Sequence, residues 1–160
     1  MVHWKDADTS YANAYYGVDF REHPEKYKIG KGEQGVLMAE PYKSEILAIG
    51  WRFKTPEIAE QSSMAILIQF YRYLDEDDFV GADMARKFLQ MGWTRARRYA
   101  NHANGRKYNA DKSIRPQEPD ALSSDKAKSA QIFRERYLEA LQDATYQKLM
   151  KRHKENHEAH

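Results

Sequence analysis

The sequence predicts an α+β fold: a small antiparallel sheet or hairpin packed on three to four helices, with a long C-terminal helix. Three observations point there. Residues 30–53 alternate glycine and turn chemistry with strand-like Val, Ile, Trp and Phe. Residues 56–74 and 79–102 place apolar side chains at helical spacing. A last periodic run follows Ser124. The 160 residues fit a single domain, divided into an irregular N-terminal segment (1–26), the sheet and helices, a polar loop (103–123) and a C-terminal helix with a frayed tail (124–160).

In chain order, Tyr11, Tyr15, Tyr16 and Phe20 supply rings that can pack on the domain from an otherwise irregular segment. Gly30, Gly32 and Gly35 lead into a short strand over 36–39, with Pro41 turning the chain into a second over 46–53. Gly50 within it marks a bulge or bend, and residues 27–29 are available as a third strand. Thr55-Pro56 opens a helix, the Thr as N-cap and the Pro at the first helical position. Its apolar face, with Ile58, Ala65, Ile66, Phe70 and Tyr73, is widened by Met64, Leu67, Ile68 and Tyr71, so it belongs at the centre of the core. The acidic run 75–78 ends it. In the next segment Gly92 is either a costly glycine inside one helix or a break before a new helix capped by Thr94. Its cost of about 1 kcal/mol and the cap favour the break. From Ser124 the spacing of Ala130, Phe133, Tyr137, Leu141 and Leu149 predicts one helix; continued to residue 158 it would be about 50 Å long, so its end should project, fray or meet a second subunit.

Leu, Ile, Val and Phe make up under a fifth of the chain, below the roughly 20% floor of folded domains. Net charge is only +2, and 11 Tyr, 3 Trp and 6 Met supply the missing apolar area, so the chain folds rather than stays disordered. The absence of Cys excludes disulfide scaffolds, thiol nucleophiles and thiolate zinc sites, and suits a reducing cytoplasm. No apolar signal segment opens the chain, and the longest apolar run is broken by Gln69 and Arg72. The sequence therefore predicts a soluble, cytoplasmic protein with no membrane partner.

Charge is the strongest functional signal. Arg86, Lys87, Arg95, Arg97, Arg98, Arg106, Lys107, Lys112 and Arg115 are opposed within their segment only by Asp111. On a helix, Arg86, Lys87, Gln90, Thr94, Arg97, Arg98 and Asn101 share one sector opposite the apolar face. Arg and Lys suit phosphates, and Gln90 and Asn101 suit base edges. With a break at Gly92 the unit would resemble a degenerate helix-turn-helix, although it lacks that motif's alanine and glycine spacing. Trp93, Tyr99 and Tyr108 offer rings for stacking. The expected phosphate or nucleic-acid contacts are thus Arg86, Lys87, Gln90, Arg95, Arg97, Arg98, Asn101, Arg106 and Lys107. The bland alternative is a solvated basic face, or one paired with the acidic residues 75–83.

Gly30, Gly32 and Gly35 match G-x-G-x-x-G, with Lys31 inside the loop. A dinucleotide fingerprint needs a helix next, whereas a strand-like run follows; the kinase and Walker signatures are absent. A tight turn explains the glycines, and an anion-cradling loop with Lys31 is the alternative. Glu33, Glu40 and Glu45 are the nearest carboxylates, with no spacing that singles out a pair. His102 reads as a hydrogen-bonding residue or a general acid–base. His153, His157 and His160 have helical spacing without a partner shell, so no functional metal and no cofactor is expected.

The runs 27–47 (YKIGKGEQGVLMAEPYKSEIL), 51–59 (WRFKTPEIA), 78–81 (DFVG) and 84–102 (MARKFLQMGWTRARRYANH) resemble a domain-of-unknown-function family, DUF4385, of bacteria and cyanobacterial phages. The resemblance covers residues 20–150. It implies a soluble protein of a bacterial and phage family and carries no activity, substrate or catalytic residue. Function is therefore read from the residues. A non-enzymatic nucleic-acid or polyanion-binding module leads; an enzyme acting on a phosphorylated small molecule or nucleotide through the glycine loop is the alternative. A homo-oligomerising structural protein using the C-terminal helix is the third.

Overall fold

The computed structural model describes residues 11–102, 107–119 and 123–158. Arg106 and His160, and the N-terminal stretch before Tyr11, lie outside the described residues. Within them five α-helices carry the fold: α1 (Tyr42–Ile49), α2 (Pro56–Asp75), α3 (Phe79–Asn101), α4 (Asp125–Gln142) and α5 (Ala144–His153). A helical turn at 11–15 and a 3-10 turn at Pro24–Lys26 precede them. α2, α3 and α4 pack together as the centre, with α1 laid on α2 and α3 and α5 on α3 and α4. Buried residues from Tyr15 to Leu149 form one hydrophobic cluster.

The expected sheet is absent from the described residues, which hold only two isolated bridges, Asp19 to Glu40 and Tyr108 to Ile114. The fold is helical, and each misassigned strand has a physical reason. Tyr42 and Ile46, four residues apart, are both buried, so the strand-like composition there serves a helical face. The Glu40 carboxylate accepts from the Ser44 amide at 2.8 Å, satisfying a free donor at the start of α1. Residues 51–53 belong to no helix or strand and lie against two helices. Trp51 meets Phe88 of α3, and Phe53 meets Phe133 of α4. Their backbone is held by Ser62 of α2, whose hydroxyl donates to the Gly50 carbonyl (2.7 Å) and accepts from the Arg52 amide (2.9 Å).

Two helix starts follow the sequence. The Thr55 hydroxyl accepts from the Ile58 amide at 3.2 Å with Pro56 next, and Ser124 accepts from Ala127 at 3.1 Å. Two other expectations are corrected. α3 runs unbroken through Gly92, which excludes the helix-turn-helix arrangement. Gly92 is there because Phe133 of α4 crosses against it: an added Cβ would lie 2.3 Å from the Phe133 ring. We expect Gly92→Ala to lower stability by about 1–3 kcal/mol through overpacking, despite alanine's better helix propensity, measurable as a lower urea midpoint.

The long C-terminal helix is also corrected. Asp143 ends α4 and caps α5, its carboxylate accepting from the Tyr146 amide at 2.8 Å. The chain folds back, so that Tyr146, Leu149 and His153 are buried rather than projecting. No helix among the described residues is long and apolar enough to cross a membrane.

Candidate nucleic-acid interface

The basic sector of α3 divides along its length. Every residue from Phe79 to Leu89 is buried: α2 and α4 pack along the helix, and the glycine loop and α5 cover the side that carries Asp83, Arg86 and Lys87. From Thr94 onward the helix emerges: Thr94, Arg95, Arg98 and Tyr99 are exposed.

Arg86 and Lys87 therefore leave the expected exposed face. Both surround Asp83, which is completely buried at i−3 and i−4. Arg86 donates to the Asp83 carboxylate at 2.6 and 3.1 Å, to the Gly32 carbonyl at 2.5 Å and to Gln90 Oε1 at 3.0 Å. Lys87 donates to the Gln34 carbonyl at 2.7 Å, stands 3.8 Å from Asp83 and 4.8 Å from the centre of the Tyr27 ring. The hydroxyls of Tyr146 (2.6 Å) and Tyr27 complete the carboxylate's shell. Burial pushes the Asp83 carboxyl up, but Arg86, Lys87 and the two hydroxyls outweigh it and hold it below its ordinary value. Burial lowers Lys87 to about 8, with Asp83 pulling it back up.

This cluster also explains the glycine loop. Its carbonyls at Gly32 and Gln34 are acceptors for the two buried cations, so the loop is fastened to α3. Gly30, Gly32 and Gly35 all have positive φ, and a Cβ at Gly35 would lie 2.8 Å from the Tyr11 ring. The glycines serve a close turn under Tyr11 and Tyr15. Lys31 is exposed and, with Glu33 and Arg95, lines a depression of about 290 Å³. Glu33 accepts from the Thr94 hydroxyl at 3.2 Å, and burial pushes its carboxyl up. Glu40 caps α1, and Glu45 is held low by a bidentate Arg21 (2.7 and 2.8 Å).

The amides expected to read bases are occupied internally. Gln90 receives Arg86, and Asn101 Oδ1 receives half-buried Arg97 at 3.4 Å. Arg97 also reaches the Ala127 carbonyl at 3.3 Å. Lys107 is exposed beside Tyr108, in a turn whose Glu118 amide donates to the Asn101 carbonyl at 2.7 Å, so this basic turn adjoins the C-terminal end of α3. Trp93 is stacked on Tyr137 (5.8 Å) with Arg134 over it, leaving Tyr99 and Tyr108 as the accessible rings. His102 is buried. His153 Nε2 lies 2.8 Å from the Tyr27 carbonyl and so carries the ring proton. Among the described residues no group of His, Asp and Glu is arranged to hold a metal.

One feature escaped the sequence reading. Trp51, Phe53, Ile58, Ala96 and Tyr99 floor a groove of about 610 Å³ lined also by Arg52, Lys54 and Lys126. Arg95 stands 5.4 Å over the Trp51 ring and Lys126 5.8 Å over Tyr99. The interleaved Trp51-Arg52-Phe53-Lys54 was the available signal, since it places rings and cations next to each other in one short stretch.

The model of a family described as a domain of unknown function (DUF4385) matches residues 10–156. No curated protein and no solved structure matches the chain.

Proposed function

We propose that this protein, which belongs to the DUF4385 family, is a non-enzymatic module that binds nucleic acid or a similar polyanion through the emergent half of α3. The observation that carries this reading is the unburied basic surface running from Arg95 and Arg98 to Lys107 on one side and to Arg52, Lys54 and Lys126 on the other. Arg95 and Arg98 are well suited to phosphate, being fixed on a helix and forked for paired donation. Arg86 and Lys87 contribute indirectly, by fastening the glycine loop beneath the surface. A cysteine-free chain suits the cytoplasm, where we place the interaction.

Fluorescence anisotropy with labelled oligonucleotides across a salt series tests this. We expect log affinity to fall with log salt at a slope of several charges, and Arg95→Ala/Arg98→Ala to weaken binding about tenfold or more while reducing the slope by about 2. A flat salt response, or a double variant that binds as the parent does, overturns the reading.

A second reading, an enzyme acting on a phosphorylated small molecule or nucleotide, is favoured by the depression that Lys31 shares with Arg95. It stands behind the first because Glu33 faces the same space and the loop carbonyls are turned to α3. Saturable binding of a mononucleotide lost on Lys31→Ala would reverse that order.

A further inference from the structure

We infer that the groove between residues 51–54 and the exposed end of α3 is a stacking platform for an unpaired nucleobase, which makes the bound nucleic acid single-stranded. This rests on the polyanion reading above and goes further, because basic side chains alone do not distinguish a duplex from a single strand.

The groove combines the two elements that single-strand recognition needs, flat ring surface and cations at the rim. Its rings are held before any ligand arrives. The Trp51 indole donates to the Phe88 carbonyl at 3.0 Å and meets the Phe88 ring edge-on at 5.7 Å. Phe53 is perpendicular to Phe133 at 6.3 Å and 6.2 Å from Tyr99. A platform already fixed by the core loses little side-chain entropy on binding. Tyr99 remains 41% exposed, so part of its ring is open to a ligand. A volume of about 610 Å³ falls within the roughly 300–1,000 Å³ that accommodates a small organic group.

Charge complementarity identifies the occupant. Three of the eight lining residues, Arg52, Lys54 and Lys126, are cations and none is acidic. An apolar peptide or lipid chain would gain nothing from them. Arg95 rests over the Trp51 ring and Lys126 over the Tyr99 ring. A base sliding onto Tyr99 would displace the Lys126 ammonium outward, where the phosphate joined to that base can receive it. In a duplex both faces of each base are already stacked on neighbours, so only an unpaired base offers its face to the groove. Tyr99 lies one helical turn beyond Arg95, which lets one nucleotide use the ring and the guanidinium together.

The test compares fluorescein-labelled dT12 and a 12-base-pair duplex by anisotropy at one salt concentration, for the parent, Tyr99→Ala, Tyr99→Trp and Arg95→Ala/Arg98→Ala. We expect dT12 to bind at least about tenfold tighter than the duplex. Tyr99→Ala should lose about 5- to 100-fold in dT12 affinity, the worth of one stacked base, with an unchanged salt slope and unchanged duplex binding. Tyr99→Trp should restore dT12 binding, and dT12 should quench tryptophan fluorescence in the parent. Equal affinity for the two oligonucleotides, or a Tyr99→Ala protein that binds dT12 as the parent does, overturns the stacking platform. If binding is still lost in Arg95→Ala/Arg98→Ala, the polyanion reading survives that result. Absence of binding to both oligonucleotides overturns both.

Discussion

Replacing Asp83 by alanine should cost about 3–5 kcal/mol of folding stability, the usual consequence of removing one partner from a buried ionic group. Asp83 has no exposed surface, and its carboxylate collects Arg86, Lys87, Tyr27 and Tyr146. Taking it away leaves two buried cations facing each other and two hydroxyls without an acceptor. Against an ordinary domain stability of about 5–15 kcal/mol, this is a large fraction, seen as a large fall in the urea midpoint at unchanged m-value. Tyr27→Phe, which removes one donor and leaves the charges balanced, should cost only about 1 kcal/mol. A midpoint for Asp83→Ala within about 1 kcal/mol of the parent would mean that the carboxylate does not balance the two cations.

The same cluster explains why the basic sector looked larger in the sequence than it is on the surface. Helical spacing fixes which side chains share an angular sector, and the alignment of Arg86, Arg97 and Arg98 in that sense was legible. It does not say which stretch of the sector another part of the chain covers. The cover comes from Gly32 and Gln34, far upstream, and from Tyr146, far downstream, and neither leaves a local mark. Gly92 illustrates the same limit. Its local cost favours a break, but the close crossing of Phe133 decides the outcome and depends on a contact between separate helices. Local signals succeeded where the chemistry is local. Thr55 and Ser124 cap the helices they precede because a side-chain oxygen three residues from an amide needs no tertiary information. Asp143 offered the same kind of signal for the break between α4 and α5, masked by apolar spacing that continues across it.

The groove beside Tyr99 follows from the helical fold. Were residues 46–53 a paired strand, the faces of Trp51 and Phe53 would be covered by a neighbouring strand or by the core beneath it. Because residues 51–53 lie singly on α3 and α4, one side of the ring row packs against Phe88 and Phe133 and the other reaches the groove. Ser62 replaces the missing strand by bonding to the backbone on both sides of Trp51. The lack of a sheet among the described residues and the open groove therefore have one cause.

Alkali should unfold this protein steeply, beginning near pH 10, with tyrosine ionisation delayed until the fold is lost. Tyr27, Tyr42, Tyr73 and Tyr146 are all buried, and each is held above its ordinary pKa, first by burial and then by a carboxylate: Asp83, Asp78, Glu45 and Asp83 respectively. A group whose pKa is raised by folding contributes stability that is complete below its unfolded value and lost as pH rises above it. Each of the four contributes a slope of about 1.4 kcal/mol per pH unit once the unfolded chain is ionised, so the sum is about 5 kcal/mol per unit. Lys87 acts in the opposite direction over a lower range. Its pKa falls to about 8 on folding, so between about pH 8 and 10.4 the unfolded chain binds the extra proton and stability rises with pH. The two effects together place the stability maximum on the alkaline side of neutrality, near pH 9–10. Urea midpoints from pH 6 to 11, followed by far-ultraviolet circular dichroism and by tyrosinate absorbance at 295 nm, check both limbs. Tyrosinate absorbance that rises in full near pH 10 while the helical signal persists would show that these hydroxyls are not held by the folded core. A midpoint that falls between pH 8 and 9.5 would show that Lys87 is not the uncomfortable cation its surroundings imply.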